Sequence, residues 1–218
     1  MKAIIIFRNI KIYKLSFLLC LFFTSCSSIN LVEQYTNPVI QNTNIRKVLV
    51  IGMTPNNDIR RIFEKKVANE LSKQNLIAVK SFDFFEKSFT EIQKSEEQLN
   101  QIQAQLIEAN FDAILLAKVT GQEEKIALTQ SYNDILRDFD SFKDDYYSNQ
   151  GIYASQESES YVLYHTETSL YCLCPAAQRQ ILYKASIDIV DTKPIEKNIN
   201  DYIKVLFKNL KDNKIFSR

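Results

Sequence analysis

The chain has 218 residues, 45% hydrophobic and 24% charged, a balance that excludes wholesale disorder. Its formal charge of +1 excludes the basic asymmetry of a nucleic-acid binder. Three glycines and four prolines are too few for an array of tight turns, as many all-β folds need.

Lys2, Arg8, Lys11 and Lys14 open the chain, with no acid before residue 26. Without them 23 bases stand against 26 acids, a net charge of −3. Residues 15–25, LSFLLCLFFTS, carry no charge and are mostly apolar. A basic start, a short apolar run and small residues are the order of a secretory signal peptide. The run falls short of the roughly 20 residues that span a bilayer as a helix. Thr24 and Ser25 before Cys26 resemble the lipobox of bacterial lipoproteins. The resemblance implies cleavage before Cys26, lipid on its sulfur and acylation by fatty acids such as palmitate. Phe23 stands where that motif usually has leucine, a departure similar to leaders of the Bacteroidetes group. Ser27 after the cysteine, and the absence of an acidic run in SSINLVEQ, imply the periplasmic face of the outer membrane.

Three segments follow from this reading: a signal peptide over 1–25, a lipid-anchored tether over 26–44, and one α/β domain over 45–218. The tether is expected because residues 27–44 show no steady period and are rich in Asn, Ser and Thr. RKVLVIGM, 46–53, is a β-branched apolar run that predicts a buried strand. Asn57 is placed to cap a helix over 58–74, whose Ile59, Ile62, Phe63, Val67 and Leu71 form one face. LIAVK, 76–80, predicts a second strand. An aromatic connection containing FDFFEKSF leads to a capping box, Ser95 with Gln98. The helix after it lines up Leu99, Ile102, Leu106 and Ala109, and Asn110 is placed to close it. DAILLAKV, 112–119, predicts the third strand. The βαβαβ order calls for a parallel core with strand order 2-1-3 and covering helices, a two-layer or three-layer sandwich.

Residues 121–158 read as an irregular acidic insertion, with a helical turn near 131–142. Residues 160–174 and 179–190 then alternate as an antiparallel hairpin. Val162, Tyr164, Leu170, Cys172 and Cys174 take one face, and His165, Glu167 and Ser169 the wet one. Ile181, Tyr183, Ala185, Ile187 and Ile189 face inward, with Lys184, Ser186 and Asp188 outward. A last helix is expected over 194–212, with Pro194 in its first turn and Ile195, Ile199, Tyr202, Leu206 and Leu210 as its stripe.

Chemistry-bearing patterns are sparse. The first βα turn, GMTPNND, lacks a dinucleotide or phosphate-loop glycine pattern and reads as a plain turn. Cys172 and Cys174 supply two thiols where zinc needs four ligands. A mutual disulfide strains an extended strand, although Pro175 and the adjoining turn could relax it. Two buried apolar thiols are the leading expectation and the disulfide the alternative. His165 and Glu167 lie on the wet face without a nucleophile beside them. DFDSFKDD has Lys143 where a calcium loop needs glycine and Asn149 where it needs glutamate. No cofactor, metal or catalytic residue is therefore expected. Eight of the eleven tyrosines fall between Tyr132 and Tyr183. Tyr132, Tyr146, Tyr147 and Tyr153 in the insertion are the candidates for a partner surface, since tyrosine offers a large face and a polar tip.

The leader, IRKVLVIGMTPNNDIRRIFEKKVANELSKQ, ANFDAILLAKVTG and the hairpin before a final helix together resemble a family over residues 45–213. It is that of bacterial envelope lipoproteins with a domain similar to the TolB N-terminal domain and the curli secretion lipoprotein (CsgG-like). The resemblance implies an α/β sandwich, a role in envelope assembly or transport, and no catalytic residues. The acidic insertion replaces the long amphipathic β-hairpin of that family, so a pore-forming role does not come with it. The expected function is a non-enzymatic, membrane-anchored periplasmic lipoprotein that engages an envelope protein and no nucleic acid. The alternative is a periplasmic binder of a small ligand or glycan at the carboxyl ends of the parallel strands, and a third reading is an enzyme using scattered carboxylates.

Overall fold

A computed structural model describes residues 28–54, 56–127, 143, 159–173 and 180–216. Strand β1 (Ile29–Thr36) leads through a 3-10 turn (Pro38–Asn42) to β2 (Lys47–Met53) and helix α1 (Asn57–Ser72). Strand β3 (Ile77–Lys80) and the single turn α2 (Ser81–Phe84) precede α3 (Glu96–Glu108) and β4 (Ala113–Ala127). Strands β5 (Glu159–Cys172) and β6 (Ile181–Val190) precede the final helix α4 (Ile195–Asp212). The six strands form one sheet in the order β1-β6-β5-β4-β2-β3. The β3-β2-β4 part is parallel. It reproduces the 2-1-3 order that right-handed crossovers require. The remaining pairs are antiparallel, including the expected β5–β6 hairpin.

Strand β2 alternates between two cores because helices lie on both of its faces. Val48 and Val50 join the larger core with Phe63, Val67 and Leu71 of α1 and Ile199, Tyr202, Leu206 and Leu210 of α4. Leu49 and Ile51 join the smaller one with Leu106, Phe111 and Leu173. The aromatic connection closes this second core: Phe85 stacks on Phe89 at 4.0 Å, and Phe84 meets Phe111 edge-on at 5.1 Å. The parallel half is thus three layers deep. Over the antiparallel half the helix layer is α4, on the larger-core side, where Tyr183, Ala185 and Ile187 are fully buried.

Several local expectations hold, and others shift for physical reasons. The Ser95–Gln98 capping box forms. Asn110 takes the left-handed conformation, φ 58°. Helix α1 is capped by Asn56, one residue before the expected Asn57, because its side chain accepts from the amides of Asp58 and Ile59. Pro194 is the cap of α4 and not a first-turn residue. Residues 29–36 are a strand, although 26–44 read as a tether. Its edge position explains the missed signal, since of β1 Ile29 alone is buried. The strand is pinned by Gln34 and Thr36, which bond Asn209 of α4 and Asn213, the residue that caps its carboxyl end. Strand β4 continues to Ala127, so residues 121–127 are ordered in the sheet and not part of an irregular insertion.

Candidate interaction face

Alternation along β4, β5 and β6 puts one set of side chains on the sheet face away from α4, and these are charged. Glu167 stands between Lys118 at 3.0 Å and Lys184 at 2.5 Å. Burial pushes the Glu167 carboxyl up, but hydrogen bonds from Lys184 and Lys118 outweigh it, and the net shift is downward. Lys184 is raised in turn by Glu167. Further along the strands, His165 Nδ1 meets Asp188 at 2.7 Å and Nε2 meets Glu123 at 3.4 Å. The hydrogen bond with Asp188 is the first cause that raises the His165 pKa. Glu123 is lowered, first by Lys125 and then by His165. Five charged groups and one imidazole therefore form a ladder across three strands, with alternating sign at each rung.

The ladder departs from the sequence expectation in two ways. Ser169 was placed on the wet face but is only 2% exposed. It lies opposite Leu116, which packs against the smaller core, so the polar surface starts at Glu167. Glu123 escaped notice because the strand there was not recognised. The neighbouring bulge between Val119 and Gly121 returns Glu123 to the polar face, beside His165. Both ring nitrogens of His165 face carboxylates, as a doubly donating imidazolium would.

The carboxyl ends of the parallel strands carry a second polar group, which sequence reasoning missed. Arg60, Glu64 and Ser81 are all fully buried. Arg60 donates from Nε to Glu64 at 3.0 Å, from Nη1 to Thr90 at 2.9 Å and from Nη2 to Ser81 at 2.8 Å. Glu64 accepts from the Gly52 amide at 3.1 Å, the Ser81 hydroxyl at 2.6 Å and the Phe82 amide at 3.0 Å. A mononucleotide in a doubly wound sheet would use this crevice. Here the protein's own carboxylate takes the amide that a ligand anion would need, in keeping with a plain turn. The signal was present: Arg60 and Glu64 sit one helical turn apart, in register with the apolar stripe of α1. A shallow groove lies between α1 and α4, lined by Lys66, Asn69, Lys73, Asn200, Lys204 and Phe207 among others.

Cys172 corrects the leading expectation for the cysteines. It is buried as expected but is disulfide-bonded, so it is not a free thiol. Cys26, Cys174 and the candidate tyrosines Tyr132, Tyr146, Tyr147 and Tyr153 lie outside the described residues. No group of three or more metal-ligating side chains occurs among the described residues.

No protein-family model matches the chain, and none of the curated proteins does either. Among solved structures, a PelC dodecamer from Paraburkholderia phytofirmans is similar at 11% identity and a TM-score of 0.43, over 82% of this chain and 94% of that one. The lipoprotein GNA1162 from Neisseria meningitidis is similar at 11% identity and a TM-score of 0.40, over 77% of this chain and 99% of that one. No helix among the described residues is long and apolar enough to cross a membrane.

Proposed function

We propose that this chain is a non-enzymatic envelope lipoprotein, anchored through Cys26 on the periplasmic face of the outer membrane, which serves an assembly or transport machine by binding a protein partner. The observation that carries the reading is that two candidate chemical sites among the described residues are occupied by the protein's own groups. The crevice of the parallel strands is filled by Arg60 and Glu64. The one histidine has both ring nitrogens on carboxylates. Among the described residues one solvent-facing side of the sheet is a charge ladder, and such a surface selects partners and speeds their encounter more than it performs reactions. The disulfide at Cys172 supports an oxidising compartment.

The reading has a direct test. Crosslinking in intact cells captures discrete protein partners of the native chain. Reversing the ladder with Glu167→Lys and Asp188→Lys, or deleting residues 129–158, removes them. Palmitate labelling marks the native chain and not Cys26→Ser. An unchanged crosslinking pattern in both the reversal and the deletion rejects the partner-binding role.

A further inference from the structure

The anchor has almost no slack. Ile29 is 3% exposed and pairs with Ile189, and the Val190 amide donates to the Ser28 carbonyl at 2.9 Å. The chain is therefore fixed to the sheet from Ser28 onward, and only Ser27 separates it from Cys26. Two steps of extended chain reach about 7 Å at most. From this geometry we infer that the end of the sheet carrying Ser28, Leu163 and Val190 lies against the phospholipid headgroups, with the β4–β5 ribbon as its contact surface. The inference rests on acylation of Cys26, as proposed above.

The register shows why the ribbon is the part that touches. At this end Leu163 pairs with both Val190 and Glu123, and the Asp191 amide reaches the Val162 carbonyl at 2.8 Å. Strand β2 has already ended, its Met53 opposite Lys118. Among the described residues, β4 and β5 continue alone beyond the β6 terminus, from Glu124↔Val162 to Ala127↔Glu159. At about 3.3 Å per residue these four pairs project roughly 13 Å, further than the stretch of chain that leads to the anchor. Their surface suits an interface: Glu124 and Lys125 are exposed, and Lys125 is paired on the neighbouring strand with Tyr161, a side chain with an apolar body and a polar tip. The opposite end, with the turns at Asn75 and Asn110, stands about 33 Å away along β4.

A photo-crosslinking phenylalanine derivative reads this orientation. It is placed in turn at Tyr161, Glu124 and Gln74 of the full chain and reconstituted in vesicles of phosphatidylethanolamine and phosphatidylglycerol. Lipid adducts are expected at Tyr161 and Glu124 and none at Gln74. A 20-residue Gly-Ser insert between Ser27 and Ser28 lets the domain move about 25 Å from the bilayer and abolishes the adducts while palmitate stays on Cys26. Palmitate on Cys26 with equal adducts at all three positions, or adducts that survive the insert, overturns the inference and leaves the anchor standing. A native chain without palmitate overturns both.

Discussion

Replacing Glu64 by alanine strips the buried guanidinium of Arg60 of its carboxylate and leaves three other donors, Gly52 N, Ser81 Oγ and Phe82 N, short of an acceptor. Both members of the ion pair are fully buried, so water does not replace the lost bonds. Removing one partner of such a pair costs about 3–5 kcal/mol. A domain of this size has about 5–15 kcal/mol in total, so the loss is a large fraction of the whole. With a urea slope of about 2 kcal/mol/M the unfolding midpoint drops by roughly 2 M. The double variant Arg60→Met with Glu64→Leu removes both charges and leaves no lone ion. It costs less than the sum of Arg60→Met and Glu64→Leu, with a coupling energy of about 1–3 kcal/mol across the cycle. Urea titration followed by circular dichroism measures all five chains, the native one included. A Glu64→Ala cost below about 1 kcal/mol would refute the claim that this network ties β2, α1 and α2 together.

Gly52→Ala brings a methyl within 2.9 Å of Phe63 Cδ1, inside a packed core. It destabilises by about 1–3 kcal/mol, and thermal melting shows the loss. His165 is the sole histidine, so its ring resonance is resolved by NMR without assignment. Its midpoint lies above the ordinary 6.5, because the bonded Asp188 favours the charged ring, and Asp188→Asn lowers it. The stability this adds is complete below pH 6.5 and is lost as pH rises through the raised midpoint. A native midpoint at or below 6.5 rejects the ladder geometry. Alkylation of the unfolded native chain leaves Cys172 unmodified until a reductant is added, and intact mass reports the difference.

How much was legible depended on whether burial left a mark on composition. Strand β2 and helix α1 were readable because KVLVIGM and the Phe63–Val67–Leu71 stripe owe their composition to the cores they fill. The parallel order followed from handedness alone. Strand β1 was not readable, since an edge strand buries one side chain and its remaining residues look like loop. The extension of β4 past Gly121 was hidden for the same reason, with Gln122, Glu123, Glu124 and Lys125 exposed. The ladder was half legible. Lys184 and Asp188 were assigned outward by alternation, but their pairing with Glu167 and His165 depends on register, which a single sequence does not print. Arg60 and Glu64 share the register of the α1 stripe, but their partners Ser81, Phe82 and Thr90 come from later in the chain, a pairing that a single sequence does not display.

The place of β1 in the sheet governs how the molecule comes into being. Strand β1 finds its sheet neighbour in β6, and Gln34 finds Asn213 at 179 positions' distance. A chain emerging amino-end first must therefore hold β1 unpaired until nearly the whole domain has been made. During that interval the strand is a row of free amides and carbonyls, the template on which other chains aggregate. Contacts of such sequence separation also form slowly. Folding of this protein is a race between closure of its first and last elements and capture of its open edge.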